Sequence, residues 1–234
     1  MTEKAVCLIS GGLDSCVTAH IAKKEGYKIY ALSFNYGQRH KKEIECAKEI
    51  ACSVDAVEHV VFDLDLERLG RSSLTDKSIR IEQDNRLKDI GKKIPSTYVP
   101  ARNTVFLSIG LAYAESINAD AIFIGVNATD YSGYPDCRPK YIKAYQKMAD
   151  LATKRSVEGK NIQIKAPLIN LSKAQIIKKG LKLNVSFDKT WSCYKGGKKA
   201  CGRCDSCLLR LKGFKEARLK DSLQYDFIPE WVDD

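Results

Sequence analysis

Residues 4–10, KAVCLIS, form an apolar, partly β-branched run that ends on two glycines, and the residues after them, LDSCVTAHIAKKE, carry their apolar positions at helical spacing. A strand that turns through glycine straight into a helix is the first half of a crossover to a parallel neighbour. The alternation continues along the chain. KIYALSF at 28–34, a helix near 41–51 and AVEHVVF at 56–62 complete a βαβαβ unit. The very apolar TVFLSIGLAYAESI at 104–117 predicts a further helix, followed by the run AIFIGV at 121–126, a helix over about 139–155 and the run IQIKAPLI at 162–169. Ser172 and Gln175 then make a capping box that opens the helix KAQIIKKG. Such a pattern predicts an α/β chain, a doubly wound, mostly parallel five-stranded sheet with helices on both faces, Rossmann-like in type. Ligands of such sheets sit at the carboxyl ends of the strands, where strand order reverses. With KAVCLIS as the central strand and AIFIGV beside it, the loops after Ser10 and Val126 line one pocket.

Between these units, residues 67–100 are rich in Lys, Arg, Asp and Ser with little periodicity, and they read as a long surface insertion or lid. The expected division is an α/β domain over 1–187 carrying this insertion, and a small C-terminal segment, 188–234, packed on it. At 234 residues and 44% hydrophobic, the chain is long enough for one well-buried core with such an appendage. Polar residues follow Met1 and no apolar run reaches the length of a membrane span, so a cytoplasmic protein without membrane contact is expected. The formal charge of +10 is uneven: residues 189–220 hold ten Lys or Arg against Asp205 and Glu216, and the rest of the chain is close to balanced.

The glycine turn SGGLDS suits an anion. Glycines let backbone N–H groups approach closely, and the helix that follows adds unpaired N–H groups and a positive dipole end. No lysine precedes a final Ser or Thr as a Walker loop requires, and the spacing does not fit the dinucleotide fingerprint. What remains are Ser10 and Ser15 as hydroxyl donors, Gly11 and Gly12 as open backbone, and Asp14 as a Mg2+ ligand or cap. An ordinary capped turn would explain the glycines but not both serines.

SGGLDS after a first strand resembles the pyrophosphatase loop of the N-type ATP pyrophosphatases, whose fold is of the adenine nucleotide alpha hydrolase type and which split ATP between its α and β phosphates. Together with SFNYGQRHKKEIECA, YVPARN, GVNATDYSGYPDCRP and CGRCDSCLLR, it resembles the 7-cyano-7-deazaguanine synthases over nearly the whole chain. That resemblance implies an ATP-dependent ligase that takes 7-carboxy-7-deazaguanine, ATP with Mg2+, and ammonia through an adenylated carboxylate and an amide to the nitrile, on the route to queuosine. It also implies a homodimer. On it, Leu8, Ser10, Gly11, Gly12, Leu13, Asp14 and Ser15 bind ATP, with Ser10, Asp14, Ser15 and Arg102 catalytic. Arg102, Asn103, Asp130, Tyr131, Ser132, Tyr134, Asp136 and Arg138 would bind the second substrate. Residue chemistry supports two of these choices. A carboxylate at Asp130 or Asp136 matches the parallel N–H donors of a guanine-like edge, and the forked guanidinium groups of Arg102 and Arg138 match a carboxylate or phosphates. Capping alone would explain Asn103. Tyr36 and Arg39 are expected to border the adenosine, and neither His40 nor Cys137 has an assigned role.

Cys193, Cys201, Cys204 and Cys207 are four thiols within fifteen residues, three of them spaced C-x2-C-x2-C. Spacing alone allows zinc or an iron–sulfur cluster, although a ferredoxin run would continue C-x3-C-P and here Leu208 opens a helix. The resemblance implies one structural zinc, whose four-thiolate charge offsets part of the surrounding lysine and weakens any inference of nucleic-acid binding. Cys7, Cys16, Cys46 and Cys52 are expected to pack as small hydrophobes. Two other readings carry less. A tRNA-modifying enzyme of the same superfamily would be expected to bring a separate RNA-binding domain, and a zinc ribbon binding nucleic acid through Lys195, Lys198, Lys199 and Arg203 leaves the glycine turn unexplained.

Overall fold

The computed structural model describes residues 2–68, 70–128 and 133–232. Five parallel strands, β1 (Lys4–Leu8), β2 (Lys28–Asn35), β3 (Glu58–Asp63), β4 (Ala121–Phe123) and β5 (Gln163–Lys165), form one sheet in the order β3-β2-β1-β4-β5. Strand order therefore reverses between β1 and β4, as expected. Alternate residues of β1 feed two cores. Ala5 and Cys7 pack with α1 (Leu13–Lys24), α2 (Lys42–Ser53), α6 (Lys173–Lys182) and α7 (Asp205–Ala217), whereas Val6 and Leu8 pack with α3 (Arg102–Ser116) and α4 (Pro139–Ala152). A strand buried on both faces has to be apolar throughout, which is why KAVCL reads as a continuous run.

Several boundaries differ from the periodicity. The helix expected over 139–155 breaks at Thr153, whose extended backbone and side chain cap the short α5 (Lys154–Val157) by accepting from the Ser156 N–H. β4 has only three paired residues, and just beyond it Gly125 lies against the first turn of α1. The capping box at Ser172 and Gln175 is formed.

Residues 70–100 contain no helix or strand, yet they are not a loose surface loop. Ser72, Ser73, Leu74 and Thr75 are buried, and the Arg39 guanidinium donates to the carbonyls of Ser73, Asp76 and Ile79. Asp84 pairs with Arg203 at 3.1 Å, and Asn85 donates to Asp205 at 2.9 Å, so the segment is fastened to the C-terminal region. Arg39, Ser72 and Thr75 are occupied in satisfying backbone carbonyls here, while most polar side chains between 76 and 96 face solvent. Arg39 is one of these fasteners and is not among the residues lining the cleft. Among the described residues, no helix is long and apolar enough to cross a membrane.

Candidate active site and metal centre

A cleft of about 290 Å³ opens at the carboxyl ends of β1, β2 and β4. Its floor is the glycine turn. Gly11 adopts φ +82°, a left-handed conformation that suits glycine, and a Cβ there would lie 2.1 Å from the Glu43 carbonyl oxygen. Gly12 is the N-cap of α1 and offers no side-chain cap, so the first N–H groups of the helix are left to face the cleft. The two serines are tied into the turn: Ser15 Oγ accepts from the Ser10 N–H at 3.2 Å and donates to the Gly12 carbonyl at 3.0 Å. Gly125 makes the approach of β4 possible, since a Cβ there would sit 2.9 Å from the Asp14 and Ser15 backbone.

Asp14 stands beside this turn with both carboxylate oxygens bonded to Lys173 Nζ, at 2.8 and 2.7 Å. Lys173 is the first residue of α6, put at the cleft by its position just past the carboxyl end of β5. The sequence reading missed it, although the capping box at Ser172 was enough to locate it at that edge.

The opposite wall is aromatic and cationic. Phe34 and Phe106 stack at 4.0 Å, and the Arg102 guanidinium lies 5.7 Å from the Tyr36 ring and 6.0 Å from that of Phe106, donating to the Tyr36 hydroxyl at 3.3 Å. Ala101 precedes α3 in a left-handed conformation, φ +52°, a strained turn for a residue with a Cβ that points the helix start into the cleft. Glu43, in the first turn of α2, completes this wall; burial pushes its carboxyl up to about 7, with Arg102 opposing the shift.

Of the expected site residues, Leu8, Ser10, Gly12, Leu13, Asp14, Ser15, Arg102, Asn103 and Tyr134 line the cleft, and Gly11 shapes its floor. Asp130, Tyr131 and Ser132 lie outside the described residues. Asp136 and Arg138 are not among the lining residues. Asp136 is buried, and its Oδ2 accepts from the Asn103 N–H at 3.0 Å, so the carboxylate caps the start of α3. Asn103 is held in turn through its amide, which donates to the Asp136 carbonyl and the Cys137 sulfur, both at 3.3 Å. Burial, with Asp136 adding to it, pushes the Cys137 thiol up to about 12, which keeps it protonated.

Cys193, Cys201, Cys204 and Cys207 are all buried, and their sulfur atoms lie within 4.8 Å of one another. The donor set fits a metal: four thiols at tetrahedral reach, with N–H groups of Lys195 and Cys201 aimed at Cys193 Sγ and those of Arg203 and Cys204 aimed at Cys201 Sγ. Trp191 ties this centre to the cleft. Its backbone N–H donates to the Gly11 carbonyl at 2.9 Å and its indole N–H to the Cys193 carbonyl at 2.8 Å, where His40 Nε2 also bonds at 3.1 Å. His40 thus has a structural use that its isolation in the sequence did not disclose. Cys7 and Cys16 are buried as expected, Cys46 is half-buried against the four-cysteine cluster, and Cys52 is exposed at the end of α2, contrary to the expectation of packing.

The chain shares 55% identity with the 7-cyano-7-deazaguanine synthase of Saccharophagus degradans over 225 residues, 95% of this chain and 98% of that protein. Identity is also 55% with the protein of that name from Geobacter sp. over 227 residues, 96% and 99% of the two chains. With the one from Coxiella burnetii it is 54% over 227 residues, covering 95% and 98%. Residues 4–218 match the model of the queuosine biosynthesis protein QueC family, and they take in the glycine turn, both walls of the cleft and all four clustered cysteines: the chain belongs to that family.

Proposed function

We propose that this protein makes 7-cyano-7-deazaguanine from 7-carboxy-7-deazaguanine, ammonia and two molecules of ATP. The observation that carries the reading is the lysine-free anion-binding turn at the start of α1 facing Arg102 across one cleft. Backbone N–H groups and the Ser10 and Ser15 hydroxyls suit a pyrophosphate that leaves as the substrate carboxylate attacks the α phosphorus, because they strengthen where charge develops. Lys173, bonded to Asp14, supplies a cation at the same end of the cleft, and Mg2+ is proposed to arrive with the nucleotide. Arg102 takes the carboxylate, while Phe34, Phe106 and Tyr134 give a flat heterocycle its aromatic surface. Asp130, Tyr131, Ser132 and Arg138 are assigned to the same substrate on family likeness. Asp136 is assigned to positioning Asn103 and Arg102 through the cap it makes.

Zinc is the proposed occupant of the four-cysteine centre, where it would supply structure and no chemistry, since four thiolates leave no open position. A cytoplasmic homodimer is proposed on family likeness. The test is a product assay during turnover with the acid, ammonium and ATP, set beside the same mixture with bulk tRNA in place of the acid. AMP and pyrophosphate, two of each per nitrile, are expected with the acid alone. ADP and phosphate, or turnover with tRNA only, would overturn the reading.

A further inference from the structure

Asp14 and Glu43, the two carboxylates lining the cleft among the described residues, are held in opposite ways. Asp14 spends both oxygens on Lys173. Glu43 makes no side-chain hydrogen bond or ion pair among the described residues. Its place is restricted, because its backbone carbonyl packs onto the glycine turn at Gly11 while its charge acts on Arg102 and Tyr36 of the same wall. Glu43 thus joins the phosphate-binding turn, which its backbone touches, to the wall that carries Arg102, and it lines the cleft in which, on the reading above, the adenylate forms. A fixed anion there opposes both ATP and the acid. The occupant it favours is a small cation or a group that gives up a proton.

We propose that Glu43 receives ammonium beside the adenylate and accepts the protons that nitrogen loses as the carbon–nitrogen bonds are built. The inference rests on the nitrile-forming reading above. In the first step ammonium gives one proton to Glu43, the ammonia lone pair forms the C–N bond, the C–O bond to AMP breaks with its electron pair on AMP, and a second proton leaves nitrogen to yield the amide. In the next, the amide oxygen attacks the α phosphorus of a second ATP and pyrophosphate leaves. Loss of both N–H protons and of AMP, which carries away the former amide oxygen, then leaves the C≡N triple bond. Each N–H proton passes through Glu43 to solvent. A carboxyl raised by burial is suited to taking a proton and giving it back near neutrality.

The measurement separates adenylation from nitrogen chemistry. Pyrophosphate exchange into ATP, run with the acid and no ammonium, reports the first activation alone. Glu43→Gln is expected to keep that exchange within about threefold and to lower kcat/KM for ammonium by about 10²-fold or more, the usual weight of a general base. Conversion of the preformed amide to nitrile should fall alongside it. Glu43→Asp, with the carboxylate kept, should recover part of both, and thermal melting of each variant checks that it folds. Exchange lost together with turnover, or restored by excess Mg2+, makes Glu43 a metal or nucleotide ligand and overturns the proposal. So does a defect confined to the KM for the acid, which makes Glu43 a reader of the heterocycle, and so does an unchanged ammonium dependence. Absence of exchange in the unaltered chain would instead defeat the adenylation reading itself.

Discussion

Asp136 carries a contact that its place in the sequence does not show. In YPDC it looks like a carboxylate offered to a heterocycle, and the sequence has no means of showing that its Oδ2 is already taken by the Asn103 N–H thirty-three residues earlier in the chain. The two uses predict different outcomes. As a cap, Asp136→Asn keeps an oxygen that can accept the same bond, so KM for the acid and stability should both stay near those of the unaltered chain. Asp136→Ala should lose about 1 kcal/mol, measured by urea denaturation, together with some alignment of Arg102. A reading role would instead make Asp136→Asn weaken binding of the acid by roughly 2 to 4 kcal/mol without touching stability. Lys173 is the converse case. An unremarkable lysine in a basic chain becomes part of the site because its ammonium meets Asp14 across 159 positions of sequence.

At the level of elements, the glycines and one buried ion pair decide how the C-terminal helix reaches the sheet. A Cβ at Gly213 of α7 would lie 2.3 Å from Lys173 Cγ, so the absent side chain lets α7 lie directly on the stem of the lysine that faces the cleft. Arg210, on the same helix, is buried with Asp221: Nε to Oδ2 is 2.7 Å, Nη2 to Oδ1 is 2.9 Å, and the side chains are 2% and 3% exposed. Its remaining donors go to the Thr190 hydroxyl at 2.7 Å and the Phe187 carbonyl at 3.0 Å, and the Tyr225 hydroxyl donates to Asp221 at 2.6 Å. Arg210→Met would remove the counter-charge and leave Asp221 buried. A loss of about 3 to 5 kcal/mol in urea unfolding is expected, and Arg210→Met with Asp221→Asn should recover part of it, because breaking such a pair costs more than removing it. A loss under about 1 kcal/mol for the single variant would show that the segment relaxes to hydrate the acid.

For the whole molecule, the cysteine centre and the cleft are one mechanical unit through Trp191, which bonds the Gly11 carbonyl with its backbone and the Cys193 carbonyl with its ring. Elemental analysis is expected to find about one zinc per chain, as a four-thiolate site requires. Stripping the metal with a chelator, or introducing Cys204→Ser, should lower the melting temperature and also weaken ATP binding in a titration, because the turn loses an anchor. Normal melting and normal ATP affinity in metal-free protein would break that link. The sheet, its reversal between β1 and β4, the glycine turn and the four clustered cysteines were legible in the sequence because each is local: strand burial, a glycine turn and clustered thiols are written within a few consecutive residues. Tertiary structure alone decided that Asp14 answers to Lys173, that Asp136 caps α3, that Glu43 lines the cleft with no side-chain hydrogen bond or ion pair among the described residues, and that residues 70–100 are fastened to the C-terminal segment. The physical reason is that what a charged side chain does depends on its partner and its burial, and both are set by segments that come together only when the sheet is built.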